Sequence, residues 1–194
     1  MKYVTRKLLK FRPGSYYVGP VRFRDRGYEP KECYNNADRE FVERGRQPVA
    51  GWVVTPIGEE TGYTQIIRHY WNQDEEGCHY DTTPFGRNDH QDCDYVKDWD
   101  MYEVPQRMKK EGYFADKLFT SPPNMLYMDG RFVIEDLRGA KPGRNPDELS
   151  WYKTAVRDDV PGGMSMEQII QSAYMDGEMD FLREIENEKE YEIA

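Results

Sequence analysis

The chain has 194 residues, 38% of them hydrophobic and 32% charged, with a net charge of −9. That is enough apolar material for one domain, and the basic third carries no known nucleic-acid-binding motif, so a nucleic-acid partner is not expected. Met1 to Arg6 has no apolar secretory core, no run approaches a membrane span, and three unevenly spaced cysteines do not form a disulfide framework. The chain reads as a soluble protein of a reducing, cytoplasmic compartment, of a cell or of an infected host cell, with no membrane partner.

Tyr3 to Phe11 reads as a first strand or short helix ending at Arg12-Pro13-Gly14. Tyr16 to Phe23 is an aromatic, β-branched strand broken at Gly19-Pro20. Cys33 to Arg44 has helical spacing, with Tyr34, Ala37 and Phe41 on one face and Gly45 as its C-terminal stop. Gly51 to Ile57, Tyr63 to Trp71 and Gly77 to Thr83 form a three-stranded antiparallel meander, and residues 84–100 read as a polar, acidic loop. Val104 to Tyr113 is helical, Ser121-Pro122-Pro123 breaks the chain, and Met125 to Leu137 is a hairpin turning at Asp129-Gly130. Loop signals follow at Gly139 to Pro146 and at Asp158 to Gly163. Ser165-Met166-Glu167-Gln168 is a capping box opening a long helix with Ile169, Ala173, Phe181, Leu182 and Ile185 on its stripe, Gly177 as a weak point and an acidic tail. The expected fold is α+β: a helix carrying Cys33 packed on an antiparallel sheet, with a C-terminal helix. Residues 1–164 form the main domain, and residues 165–194 the acidic helix and tail.

Charge is unevenly spread. Residues 1–50 hold twelve Lys/Arg against six Asp/Glu, residues 74–103 two against ten, and residues 165–194 two against nine. Such asymmetry predicts a basic face meeting an acidic partner or docking of acidic segments on the basic front, beside the plainer reading of solvated faces.

Three residues carry the chemistry. Cys33 begins a helix, where the N-terminal dipole and a nearby imidazole favour the thiolate. His69 ends the second meander strand, and Asp81 lies just past the polar turn Asn72-Gln73-Asp74-Glu75-Glu76-Gly77. A hairpin turning about Glu75 places His69 directly opposite Asp81, on one sheet face and about 5 Å apart at Cβ, where a carboxylate fixes the imidazole tautomer. A slip of one residue would separate them. Taken singly, Cys33 reads as a small buried hydrophobe, His69 as a strand histidine and Asp81 as a turn cap; their conjunction points to a triad.

Cys-x-x-x-Ala at a helix start, the strand Val49 to Val54, then His69-Tyr70-Trp71-Asn72, Gly77 and Asp81-Thr82-Thr83 resembles the transglutaminase-like branch of papain-like cysteine enzymes, over roughly a quarter of the chain. The resemblance implies a Cys33 nucleophile, a His69 base and an Asp81 orienter. Relatives of this kind include peptidases, amidases, acyltransferases and inactive members. The chain departs from the papain pattern in having no glutamine ahead of Cys33, Gln47 being its first. The Cys33 N–H is then one oxyanion donor, and the second is an unassigned aromatic or amide side chain.

The expected activity is cysteine-dependent hydrolysis or acyl transfer on an amide, isopeptide or related acyl bond of a protein or peptide-like substrate. Trp71 walls the cleft, Asn72 helps polarise the substrate, and no cofactor is needed. The alternative is a non-catalytic, possibly viral, binding protein on the same scaffold that engages a host protein. Cys78, His79, His90 and Cys93 hold zinc-type ligand atoms, but adjacent Cys78 and His79 point to opposite strand faces. Asp89, Asp92, Asp94, Asp98 and Asp100 lack EF-hand spacing. No metal site is expected.

Overall fold

A computed structural model describes residues 1–56, 62–85, 90–112, 122–138 and 149–174. Spacing decides the first element: Val4, Leu8 and Phe11 fall on one helical face, so Tyr3–Phe11 forms helix α1 with that face buried. Strands β1 (Ser15–Gly19) and β2 (Arg22–Phe23) flank the Gly19-Pro20 break. Helix α2 spans Cys33–Arg44 and ends at Gly45, whose φ of 66° is left-handed and whose N–H donates to Phe41 O.

The meander is present as β3 (Gln47–Val54), β4 (Thr64–Gln73) and β5 (His79–Asp81), with β4 between its two partners; Ile57 lies outside the described residues. Residues 84–100 are not simply a loop. Asp94–Asp98 is strand β6, all five residues buried, inserted between β1 and β3. Its acidic ends hid it from a hydrophobicity reading, and both aspartates are satisfied within the fold. Asp94 Oδ2 accepts from the Lys2 N–H and the Thr5 hydroxyl at 2.6 and 2.7 Å, while Asp98 accepts from Arg12 and from Trp52 Nε1.

Helix α3 (Asp100–Lys110) starts four residues before its expected position, and Tyr113 lies outside the described residues. The predicted hairpin is β7 (Met125–Met128) and β8 (Arg131–Glu135), turning through Asp129 and Gly130 at φ 50° and 72°. A further strand, β9 (Tyr152–Arg157), lies where no element was expected and pairs with β8. Helix α4 (Met166–Tyr174) opens with the expected capping box: Gln168 N–H donates to Ser165 Oγ, and Ser165 N–H to Gln168 Oε1. The continuation through Phe181 to Ile185, the acidic tail and the Gly139 to Pro146 loop lie outside the described residues. No described helix is long and apolar enough to cross a membrane.

The fold is α+β. The strands form one sheet in the order β1-β6-β3-β4-β7-β8-β9, with β5 beside β4; all pairs are antiparallel except β2 with β5. One sheet face packs against α1, α3 and α4, burying Leu8, Phe11, Trp52, Ile66, Met108, Phe132 and Ile169 among others. Each such side chain contributes about 1.5–3 kcal/mol of burial. Because Met166, Ile169, Ile170 and Ala173 belong to this core, α4 is integral to it. The opposite face carries a smaller core of Val21, Val49, Val53, Trp71, Cys93 and Tyr95.

The basic front and the acidic middle neutralise one another internally. Lys2 bonds Asp92 O and pairs with Asp94, Arg12 with Asp98 and Asp100, Arg24 with Asp74, and Arg46 with Glu75. Arg12 and Asp98 are fully buried and joined by two hydrogen bonds of 2.8 and 3.0 Å, while a third from Arg12 reaches Met164 O.

Candidate active site

Helix α2 is held to the sheet by polar contacts. Its buried residues are Asn36, Ala37 and Glu40. Asn72 Nδ2 donates to Ala37 O at 2.9 Å, and Asn36 Nδ2 donates to Glu29 O and Thr83 Oγ1. Glu40 accepts from the hydroxyls of Tyr80 and Tyr28 at 2.7 and 3.0 Å and from Arg44. The expected stripe of Tyr34 and Phe41 exists but does not enter the core: the two are 51% and 45% exposed.

The helix starts abruptly. Lys31 has φ 67°, a left-handed conformation costly for a non-glycine residue, and the Glu32 side chain caps no backbone N–H. The N–H groups of Cys33, Tyr34 and Asn35 precede the first helical bond, Asn36 N–H to Glu32 O. They concentrate positive potential at the Cys33 thiol.

A change of partner on β4 makes room for this helix end. Thr64 to Ile66 pair with β7 and Asn72 to Gln73 with β5, leaving an interval between them with no strand on that side. Amides two apart share an edge. The Arg68 N–H donates to Asn124 Oδ1 at 3.0 Å, and the Tyr70 amide, next along that edge, acts on the Cys33 thiol. The same half-buried sulfur lies near enough to the His69 ring for each group to shift the other's pKa.

His69 is 3% exposed, and its Nε2 lies 2.5 Å from Asp81 Oδ2, which leaves Nδ1 for the thiol. Asp81 is held in turn: Oδ2 accepts from the Tyr95 hydroxyl at 2.7 Å and Oδ1 from the Thr83 N–H at 2.8 Å. His90 donates through Nε2 to Thr83 O at 2.8 Å, 3.6 Å from the same Asp81 oxygen, with its ring stacked between Phe85 and Phe23. His69 and Asp81 share a sheet face as expected, but in a register two residues away from the direct pairing, and Cys33 lies beside His69.

Electrostatics follow the geometry. Burial pushes the Cys33 thiol up, but the His69 charge, its hydrogen bond and the Tyr70 amide outweigh this, so its pKa lies below the ordinary thiol value. Burial lowers His69, yet the negative charges of Asp81 and Cys33 carry it up to about 10. Asp81, despite burial, is held below the usual carboxylate range by His69. Burial and the Asp81 charge keep Tyr95 a neutral donor. Each shift favours the charged form of its group: the Cys33 thiolate, the His69 imidazolium and the Asp81 carboxylate.

Two expected site residues play other parts. Trp71 is fully buried, its ring nearly parallel to His69 with centroids 6.4 Å apart and Nε1 donating to His79 Nδ1. It lines the back of the imidazole and walls no cleft. Gly51 permits this packing, since a Cβ there would lie 2.8 Å from the Trp71 ring and 2.0 Å from Val96 O. Asn72 is also fully buried and anchors α2, out of reach of a substrate. Tyr95 and His90 were not singled out as parts of the triad; the only sequence signal was their nearness to Asp81. Among the described residues no group of three or more His, Cys, Asp or Glu gathers as metal ligands: Cys78 is exposed, His79 is bonded to Trp71, and Cys93 is buried in the smaller core.

A cleft of about 350 Å³ opens beside the site, between α2, the β3–β4 surface and the start of α3. Cys33 and His69 are not in its lining, but Tyr34 and Tyr70, the next residue after each, form its near wall. No family model, curated protein or solved structure matches this chain.

Proposed function

We propose that the chain is a cysteine-dependent hydrolase or acyltransferase of the transglutaminase-like, papain-like kind, acting on an amide, isopeptide or related acyl bond. The observation that carries this reading is the contiguous Cys33–His69–Asp81 array at an uncapped helix start. In the reaction, the Cys33 thiolate attacks the carbonyl carbon, forming a C–S bond and moving an electron pair to the carbonyl oxygen. N–H groups of the first α2 turn are the donors available to that oxyanion. The intermediate collapses, the C–N bond breaks, and imidazolium His69 gives its proton to the leaving amine. His69, now neutral, takes a proton from water or an amine, which attacks the thioester and releases the acyl product and the thiolate.

The test is selective alkylation. Iodoacetamide at pH 6–7 should label Cys33 faster than exposed Cys78 in the folded protein, read by peptide mass spectrometry, and His69→Ala should abolish the difference. Equal labelling of Cys33 and Cys78 that ignores His69→Ala would reduce the array to a structural feature and favour a binding module.

A further inference from the structure

Four exposed aromatic side chains converge on one cleft. Tyr34, Phe41, Trp99 and Tyr102 are between 45% and 58% exposed, and all line the space beside Cys33. Other exposed large apolar side chains, among them Tyr3, Phe23, Val42 and Leu149, lie outside this lining. The stripe of α2 that would ordinarily pack on the sheet is here the wall of an open space, with Ala37 and Ala50 keeping its floor low. An uncovered aromatic surface of this kind marks a binding site.

The charges on the lining select among occupants. Asp38 and Glu103 both face the cleft, and neither forms an ion pair or hydrogen bond among the described residues. Asp98 is already neutralised by buried Arg12. Lys97 is the basic lining residue, and its ammonium lies 3.4 Å from the centre of the Trp99 ring and 5.6 Å from that of Tyr16. A lining ring of this cleft therefore already holds an ammonium, and Asp38 and Glu103 outnumber that one cation. Aromatic faces beside unneutralised carboxylates attract an organic cation on an apolar stem, through the ring quadrupole and direct charge.

We propose that this cleft is the specificity subsite of the enzyme and takes a lysine- or arginine-like side chain of the substrate, with the scissile carbonyl presented at Cys33. This rests on the cysteine-enzyme reading above and names its substrate class. The subsite is joined to the nucleophile through Tyr34 and Tyr70, which follow Cys33 and His69 in the chain, sit in the lining and meet edge to face with ring centroids 5.2 Å apart.

The test uses three chloroacetamide probes, made by N-chloroacetylating lysine amide, norleucine amide and glutamate amide. The thiolate displaces chloride and forms a C–S bond, so each probe reports Cys33 directly. Exposed Cys78 in the same molecule is the internal standard for intrinsic probe reactivity. The Cys33-to-Cys78 labelling ratio should be about tenfold higher for the lysine probe than for the norleucine probe, and lowest for the glutamate probe. The double variant Asp38→Asn, Glu103→Gln should bring the lysine ratio down to the norleucine ratio, with an unchanged melting curve as the check on folding. A Cys33 that outruns Cys78 with every probe but ignores charge, or prefers glutamate, overturns the subsite and leaves the nucleophile standing. A Cys33 no faster than Cys78 with any probe overturns both.

Discussion

His69 reaches Asp81 across a diagonal of the β4–β5 hairpin, Nε2 to Oδ2 at 2.5 Å, with Trp71 in the position facing Asp81. The observed pairs Asn72–Tyr80 and Gln73–His79 set this register, two residues away from a direct His69–Asp81 pairing. Side chains alternate with a period of two, so a shift of two keeps both groups on one face, and a diagonal lies within reach of a long side chain. The diagonal also sets the Trp71 ring nearly parallel to the imidazole, with centroids 6.4 Å apart.

Asp81→Asn removes the charge that raises His69 and retains one acceptor oxygen for the three donors of Tyr95, Thr83 and His69. Turnover should fall by about 10²–10⁴, the range seen when the orienting carboxylate of a triad is lost. The melting temperature should drop by a few degrees, about 1–3 kcal/mol for one unsatisfied buried donor. Steady-state kinetics on an amide substrate and calorimetry check the two separately. A large loss of stability with unchanged turnover of the folded fraction would make Asp81 a scaffold residue only.

The pH dependence of Cys33 alkylation has a definite sign. The thiol pKa is lowered, so the thiolate persists as pH falls through the ordinary thiol range of about 8.5 and is lost only below it. His69, raised to about 10, stays protonated across the same window and keeps the pair charged. The Cys33 rate should therefore hold to lower pH than the Cys78 rate does, and the Cys33-to-Cys78 labelling ratio should rise as pH falls. A Cys33 profile that tracks Cys78 contradicts the ion pair.

The sequence made the triad legible because each member sits in a local pattern: a helix start, a β-branched strand end, the far side of a polar turn. Parity of the hairpin survived an error of two in register. What escaped was whatever depends on distant partners. Strand β6 reads as acidic loop until Arg12, Thr5 and Lys2 arrive from residues far away to satisfy Asp94 and Asp98. Trp71 and Asn72 look like cleft residues beside His69, yet alternation sends one behind the imidazole and the other under α2. Tyr34 and Phe41 read as one face of a helix, but periodicity reports a stripe and is blind to whether anything covers it.

Polar anchoring of α2 predicts that its position depends on hydrogen bonds more than on apolar contact. Tyr80→Phe removes the 2.7 Å donor to buried Glu40 and should cost about 1–3 kcal/mol. Since α2 carries Cys33, its labelling should slow in the same variant even where the protein is fully folded. Labelling rate measured well below the melting temperature separates this from global unfolding. A Tyr80→Phe protein with full stability and unchanged Cys33 reactivity would mean that α2 is held elsewhere.

Arg12 and Asp98 tie four elements together: the end of α1, strand β6, the start of α3 through Asp100, and the segment entering α4 through Met164 O. Both side chains are essentially unexposed, so removing one leaves an uncompensated buried charge. Asp98→Ala should therefore cost about 3–5 kcal/mol, a loss that threatens the folded state of a domain this size. The Trp52 indole N–H, also bonded to Asp98, adds to it. Arg12→Met with Asp98→Leu removes both charges together and should recover much of that loss, because the desolvation cost of the pair disappears with it. Denaturant melts of the single and double variants measure this, and a double variant no more stable than Asp98→Ala would assign the loss to packing around Trp52.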